Sequence, residues 1–460
     1  MDEHYDALVI GSGEGGKYLA WHLAKAGQRV AVAERRWIGG SCPNTNCLPS
    51  KNEIWSAEIA HLARGAGRYG VETGPVAVDM RRVVARKREM VSGLIDMHLN
   101  RFAESGAELV MGTARFSAPK AVAVALNAGG ARTLTAERIF LNLGTRPMIP
   151  DVPGLREAGP LTNIEALELD ALPTHLVVLG GGYVGLELAQ AYRRFGSAVT
   201  IVEHGPRIAG REDPDVAAEL ARLLGAEGIA IRTGTEILRV SGRSGEAVAL
   251  TLRDPEGESA VEASHILVAA GRTPNTDGIG LDLAGVALTA SGTVQVDDRL
   301  RTTAPGIWAI GECAGSPAFT HASLDDFRVI RDTLAGVPRS AAGRQMPACM
   351  FTDPPLGRIG LSESEARAGT EPVRVVKLPM AAVLRTRTTG QTSGFMKAVI
   401  GPDDRILGFT MLGADAGEVM AAIQVAMLAG LPYTALRDAV LAHPTTAEGL
   451  NSLFSAVPAS

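Results

Sequence analysis

Cys42 and Cys47 lie five residues apart in the stretch Gly39-Gly40-Ser41-Cys42-Pro43-Asn44-Thr45-Asn46-Cys47-Leu48-Pro49-Ser50-Lys51. Two thiols at this spacing, behind a glycine pair and ahead of a Pro-Ser-Lys step, fit a redox-active disulfide. The competing readings are weaker. A structural zinc site needs four ligands, and Cys313 and Cys349 each stand alone in the sequence, so no metal site is expected. A structural staple is unnecessary in a chain of 460 residues, which can bury a core without one.

A thiol of such a pair acts as its thiolate. A helix beginning near this loop favours the thiolate by ~0.3–1 kcal/mol, at best ~2. At ~1.4 kcal/mol per pKa unit, that moves a thiol from ~8.5 to about 7 at most. The helix alone does not suffice, and a base and a cofactor have to contribute.

The elements that must position the pair begin with Ala7-Leu8-Val9-Ile10, a buried-strand run that meets Gly11-Ser12-Gly13-Glu14-Gly15-Gly16. A helical stretch from Lys17 to Ala26 follows, then a strand from Arg29 to Ala33 ending at Glu34. Strand, glycine turn, helix, strand and acid in this order form the dinucleotide fingerprint in its required context. Gly11 permits the tight turn, Gly13 lets the backbone approach a pyrophosphate, and Gly16 lets helix and strand pack closely. The helix N-terminus meets the phosphates, and Glu34 is placed for a ribose hydroxyl.

The design recurs. Val178-Leu179-Gly180-Gly181-Gly182-Tyr183-Val184-Gly185 precedes a helical run and a strand ending at Glu203. Gly11, Gly13, Gly16 and Glu34 align with Gly180, Gly182, Gly185 and Glu203, each 169 residues apart, and nine of 26 positions agree between 9–34 and 178–203. Two nucleotide-binding folds imply two nucleotides facing one another, one of them a flavin. The cysteine pair starts eight residues past Glu34, so it belongs to the first fold. A disulfide exchanging electrons with an isoalloxazine must touch it, which makes the first site FAD and the second nicotinamide.

Composition agrees with a soluble globular protein: 46% hydrophobic and 21% charged residues, with 53 glycines suited to tight turns. A net charge of -5 gives no reason to expect nucleic acid or an anionic membrane as partner. The polar start Met1-Asp2-Glu3-His4-Tyr5 shows no signal peptide, and the longest apolar stretch, Val419 to Leu431, is too short to span a bilayer. Four cysteines point to the cytoplasm, where disulfides are transient and catalytic. From about Met346 the texture changes to three strand-like runs (372–380, 394–400, 405–412) and helical segments at 416–430 and 433–441, an α+β arrangement.

With these motifs in place, the chain resembles the class I pyridine nucleotide-disulfide oxidoreductases, the family of glutathione reductase, dihydrolipoamide dehydrogenase and mercuric reductase. The resemblance spans essentially the whole chain. Ile139 to Pro147, with Gly144, resembles the close of the first FAD segment. Val268 to Asn275, with Gly271, resembles the exit from the nicotinamide domain, and Ile307 to Glu312, with Gly311, resembles the second FAD segment. The family has aspartate where Glu312 stands. The implied fold is α/β, with two Rossmann-like dinucleotide-binding domains plus a C-terminal α+β dimerisation domain. The boundaries are 1–150 for the first FAD segment, 151–274 for the NAD domain, 275–345 for the second FAD segment and 346–460 for the interface domain.

The resemblance also implies roles. Cys47 lies against the flavin as the charge-transfer thiolate, and Cys42 is the outer interchange thiol. His443-Pro444-Thr445-Thr446-Ala447-Glu448 resembles the element in which a histidine from the partner subunit of a homodimer serves as acid-base and a glutamate orients it. Lys51 and Glu187 form an ion pair beside the flavin, and Tyr183 stands where an aromatic lid covers the nicotinamide site. NADH is expected over NADPH because Glu203 would face a 2′-phosphate, with Arg207 and Arg211 solvated or paired with Glu212 and Asp213. Pro43 and Asn46 depart from the usual loop. The C-terminal cysteine pair of mercuric reductases and the C-terminal redox centre of large thioredoxin reductases are both missing. The activity implied is electron transfer from NAD(P)H to a disulfide or small oxidised acceptor. A metal-ion reductase, a dihydrolipoamide dehydrogenase and a non-catalytic flavin redox sensor are the alternatives.

Overall fold

The computed structural model describes residues 3–459; Met1, Asp2 and Ser460 lie outside the described residues. The first unit runs β1 (Glu3–Ile10), α1 (Glu14–Lys25), β2 (Val30–Glu34), α2 (Ser41–Asn44), α3 (Cys47–Gly65), α4 (Met80–Ser105), β3 (Glu108–Ala118), β4 (Ala121–Leu126), β5 (Ala131–Leu141) and β6 (Thr145–Pro147). β1 pairs in parallel with β2 and β5, β2 with the start of β3, and β4 joins the far halves of β3 and β5 in antiparallel pairing. Residues 7–10 of β1 and 30–33 of β2 are continuous apolar runs because both faces of a parallel sheet are covered, here by α1 and α4 on one side and the β3–β5 meander on the other. Helix α1 starts three residues earlier than the sequence suggests, since Glu14–Gly16 of the glycine turn already form its first turn.

The second unit repeats the plan: α5 (Asn163–Ala166), β7 (His175–Leu179), α6 (Tyr183–Phe195), β8 (Ala198–Val202), α7 (Pro214–Ala226), β9 (Ala230–Arg232), β10 (Glu236–Arg243), β11 (Ala247–Asp254), β12 (Gly257–Ala263), β13 (His265–Val268) and β14 (Arg272–Pro274). A parallel sheet in the order β13-β7-β8-β9 carries α6 and α7 on one face and the β10-β11-β12 meander on the other. β14 pairs with β6 as a short ribbon, Arg272 opposite Pro147 and Pro274 opposite Thr145. β15 (Ile307–Ala309) then returns to the first sheet beside β5, and α8 (Thr320–Leu334) packs on α1.

The third unit has β16 (Ala348–Met350), β17 (Leu356–Gly360), α9 (Glu363–Arg367), β18 (Arg374–Pro379), α10 (Leu384–Thr389), β19 (Phe395–Ile400), β20 (Ile406–Leu412), α11 (Ala416–Leu428), α12 (Tyr433–Arg437) and α13 (Gly449–Ser455). Its antiparallel sheet has the order β16-β17-β20-β19-β18. Five strands replace the three expected. β16 and β17 are short and flank Pro354 and Pro355, so no alternating run marks them. The last helical segment, expected to reach 441, stops at Arg437. No helix among the described residues is long and apolar enough to cross a membrane.

Candidate active site

The loop carrying the cysteines is folded down on the first glycine turn. Gly40 has φ 82, and a Cβ on it would fall 2.6 Å from Gly13 Cα. Asn44 Nδ2 donates to Ile38 O at 2.9 Å and Gly40 O at 2.7 Å, and Asn163 of α5 donates to Thr45 O at 2.8 Å and Asn46 Oδ1 at 2.7 Å. Cys42 sits in α2 and Cys47 opens α3, both as half-buried thiols. The Cys42 S–H bonds to Cys47 and, against the opposing effect of burial, brings Cys47 down to about 6, helped by the Thr320 hydroxyl and the Lys51 charge. The same bond, with burial, pushes Cys42 up. Of the two, Cys47 is the thiol held as its thiolate more readily.

Thr320 is the functional contact the sequence reading missed. Its Oγ1 lies 3.1 Å from Cys47 Sγ, across 273 positions of sequence, and it opens α8, a helix with no side-chain cap. One thiolate thus meets two helix N-termini, α3 and α8, and a hydroxyl. Lys51, one turn into α3 from Cys47, pairs with Glu187 of α6 at 2.6 Å. Glu187 is nearly buried, and its other oxygen accepts from Phe351 N at 2.8 Å. Lys51 Nζ also lies 4.7 Å from the centre of the Phe351 ring, so all three units meet at this pair.

The two glycine turns are built alike. Gly11 has φ 98, with Asn142 O 2.2 Å from where its Cβ would stand; Gly180 has φ 108, with Ala269 O at 2.5 Å. Cβ atoms at Gly16 and Gly185 would strike Gly11 O and Gly180 O at 2.6 and 2.2 Å. Gly182 differs, since its Cβ would meet nothing of the chain within 4 Å and its φ is -84. Among the described residues nothing requires glycine there, and no side chain caps either α1 or α6. Bare helix N-termini beside side-chain-free turns suit two pyrophosphates, so the residues fit FAD and a nicotinamide dinucleotide.

At the strand ends, Glu34 takes hydrogen bonds from Ser12 N, Ser12 Oγ, Arg36 N and Trp37 N (2.8, 2.8, 2.8 and 3.1 Å) and is nearly buried. Glu203 takes two, from Gly181 N at 2.7 Å and Gly205 N at 2.6 Å, and stays partly exposed. Glu312 Oε2 accepts from Thr145 Oγ1 and, at 3.2 Å, from Arg272; its Oε1 has no partner among the described residues. Gly144 and Gly311 both have positive φ, 62 and 74, beside these groups, and Gly271 (φ 135) opens the ribbon strand. Asn142, also missed, ties the first turn together: its Oδ1 accepts from Gly16 N at 3.0 Å and its Nδ2 donates to Ile310 O at 3.2 Å.

Of the two alternatives expected for Arg207 and Arg211, the structure shows the solvated one: neither pairs with Glu212 or Asp213. Both acids are buried and held by the third unit, Glu212 near Arg358 (3.5 Å) and Asp213 on Lys397 (2.8 Å). Arg207 and Arg211 are exposed, and Arg207 reaches only backbone oxygens, Gly210 O at 3.3 Å and Glu212 O at 3.5 Å.

His443 Nδ1 lies 2.9 Å from Glu448 Oε2, with 65% of the histidine side chain exposed against 16% of the glutamate. That is its only hydrogen bond among the described residues, and neither thiol of its own chain is a partner. Among the described residues no three His, Cys, Asp or Glu side chains gather as a metal site.

Two dinucleotide folds converging on one dithiol define a flavoprotein disulfide reductase. Residues 5–326 match the family described as "Pyridine nucleotide-disulphide oxidoreductase", and residues 346–454 match its dimerisation domain. The chain belongs to this family. It is 35% identical over 460 residues to the probable pyridine nucleotide-disulfide oxidoreductase RclA of Escherichia coli (98% of this chain, 99% of the relative). It is 35% identical to the mercuric reductase of Streptomyces lividans (97% and 94%) and 34% identical to the dihydrolipoyl dehydrogenase of Thermus scotoductus (97% and 96%). A solved structure described as the Cu(II) complex of HOCl-induced flavoprotein disulfide reductase RclA from E. coli superposes with a TM-score of 0.90, covering 99% of each chain. The protein is therefore a FAD-dependent disulfide oxidoreductase that takes electrons from NAD(P)H.

Proposed function

We propose that the chain works as a cytoplasmic homodimer that reduces a disulfide or small oxidised acceptor at Cys42, with NADH as the preferred donor. The observation that carries this reading is the setting of the dithiol: Cys42 in α2 and Cys47 at the start of α3, with the Thr320 hydroxyl 3.1 Å from Cys47 and Lys51 one turn away, beside two glycine turns built to hold dinucleotides. FAD, when bound, supplies hydride acceptance from NAD(P)H and an electron pair for the disulfide. The rest is the work of side chains.

Cys42 gives its proton to His443 of the partner subunit, and its thiolate attacks the acceptor disulfide. One S–S bond breaks, a mixed disulfide with Cys42 forms, and the expelled thiolate takes the proton back. Cys47 thiolate then attacks Cys42 Sγ, the second acceptor thiolate leaves and takes a proton from solvent, and the Cys42–Cys47 disulfide closes. The acceptor gains two electrons and two protons. Glu448 aims the imidazole, and the Lys51–Glu187 pair keeps a positive charge near Cys47. The 65% exposure of His443 supports service to a second subunit.

The two-electron-reduced enzyme should show a long-wavelength charge-transfer band that disappears as pH falls through about 6, where Cys47 gains its proton. Thr320→Val should move that midpoint upward and Thr320→Ser should largely keep it. A Cys47→Ser variant that retains the band sinks the assignment of Cys47 to the flavin side.

For the nicotinamide, a 2′-phosphate ~4 Å from Glu203 at an effective dielectric of ~20 costs about 4 kcal/mol, roughly a thousandfold. Arg207 and Arg211, not engaged by Glu212 or Asp213, offset much of this, which leaves about a tenfold preference. We expect higher kcat/KM for NADH than for NADPH, with Glu203→Ala narrowing the gap. Equal or better use of NADPH would assign the choice to the arginines.

A metal-ion acceptor is the second reading, favoured by the mercuric reductase relative and by the Cu(II) complex of RclA. Steady-state NADH oxidation with lipoamide, glutathione disulfide, small oxidants, Hg(II) and Cu(II) separates the two. Turnover with metal ions alone would overturn disulfide reduction.

A further inference from the structure

Tyr183 opens α6 and stands one turn before Glu187, so the two share a helix face. Among the described residues the Tyr183 hydroxyl makes a single side-chain hydrogen bond. Tyr183 Oη donates to Glu212 Oε1 at 2.8 Å. Glu212 is 5% exposed, and its other oxygen lies 3.5 Å from Arg358 Nη1 on β17 of the third unit.

The anchor is rigid where the ring is mobile in principle. Arg358 also donates to Arg211 O at 3.2 Å. The next residue, Asp213, accepts from Glu363 N, Ser364 N and Ser364 Oγ at 3.0, 3.0 and 2.6 Å, and from Lys397 at 2.8 Å. On the near side, Ala209 N donates to Gly181 O at 2.8 Å. The loop bearing Glu212 is therefore bolted to the third unit and to the glycine turn at once.

We propose that Glu212, backed by Arg358, is a latch that positions Tyr183 over the nicotinamide site and must release its hydroxyl before a nicotinamide can enter. This rests on reading the second fold as the nicotinamide site with Tyr183 as its cover. A buried carboxylate that loses its only partner is strongly disfavoured. Glu212 is not left in that state, because Arg358 still faces its second oxygen when the hydroxyl departs. The latch can therefore open and re-form. It also makes access to the site depend on a residue of the dimerisation domain. Apparent affinity is reduced by the fraction of molecules in the closed state, so weakening the latch tightens nicotinamide binding without touching the chemical step. Glu212 and Arg358 are positioning residues.

The test uses FAD-loaded oxidised enzyme titrated with NAD+, with binding read from the flavin spectrum. Tyr183→Phe, which keeps the ring and removes the hydroxyl, should lower the dissociation constant about fivefold. Glu212→Gln, a neutral and weaker acceptor, should shift it the same way by less. In the Tyr183→Phe background, Glu212→Gln should add nothing, since its effect runs through the hydroxyl. In turnover, Glu212→Gln lowers KM for NADH with kcat unchanged. The latch is overturned if Glu212→Gln has no effect in the parent enzyme, or an equal effect in both backgrounds, as a general loosening of the loop would give. If Tyr183→Ala leaves NAD+ binding unchanged, the ring covers nothing and the reading beneath the latch fails with it.

Discussion

Alanine at position 443 should lower disulfide-reducing turnover about 10²- to 10⁴-fold, the usual contribution of a positioned acid-base group, while FAD content and the long-wavelength band at neutral pH persist. The reason lies in where the proton sits. Cys47 is already a thiolate near neutral pH, so the band does not need His443. Cys42 holds its proton tightly, and apart from Cys47 no base of its own chain bonds to it among the described residues. The imidazole that could take that proton projects into solvent, oriented from behind by Glu448 at 2.9 Å. Glu448→Gln, which keeps an acceptor for Nδ1–H, should cost far less than Glu448→Ala. If each active site draws on two chains, as proposed, inactive Cys42→Ser and inactive His443→Ala proteins should regain part of the activity once subunits exchange. Demonstrated exchange with no activity would remove His443 from the partner's site.

The sequence was most informative where backbone geometry leaves one residue type. At Gly11 and Gly180 a positive φ coincides with a carbonyl oxygen in the place of a Cβ, so the same glycines and the same strand-end acids appear twice in register, and the two dinucleotide folds could be read directly. The cysteine pair was legible for a similar reason, since its chemistry needs a short loop. Contacts closed by tertiary structure were not. Thr320 reaches Cys47 across 273 positions, and nothing local distinguishes it from a helix-opening threonine. Arg207 and Arg211 stand next to Glu212 and Asp213 in sequence, yet those acids are claimed by Arg358 and Lys397 from a different unit. Proximity along the chain could not decide between solvation and pairing for the two arginines, because burial favours the partner that arrives with further hydrogen bonds.

Lys397 carries the largest expected effect on stability. It lies in β19, a strand buried along its whole length, and is 2% exposed. Its ammonium meets Asp213 and Asp215 at 2.8 Å each and Glu363 at 3.2 Å. Burial alone would raise the Asp213 pKa, but Lys397, Ser364 and two backbone N–H groups overcome it and hold that carboxyl well below its usual range. Lys397→Met fills the same space and leaves a buried carboxylate without its countercharge, a loss of about 3–5 kcal/mol, read as a fall in the unfolding temperature of the holoenzyme. The pH dependence separates this cause from simple packing. A carboxyl with a depressed folded pKa contributes stability above its unfolded value near ~3.9 and loses it as pH falls through the folded value. In the variant Asp213 protonates earlier and the orphaned charge disappears, so the gap between parent and variant should narrow as pH falls below about 5. Asp213→Asn in the Lys397→Met background should recover part of the loss at neutral pH. A gap that stays constant from neutral to acid pH, with no recovery in the double variant, would show that Lys397 acts through its aliphatic stem and not through its charge.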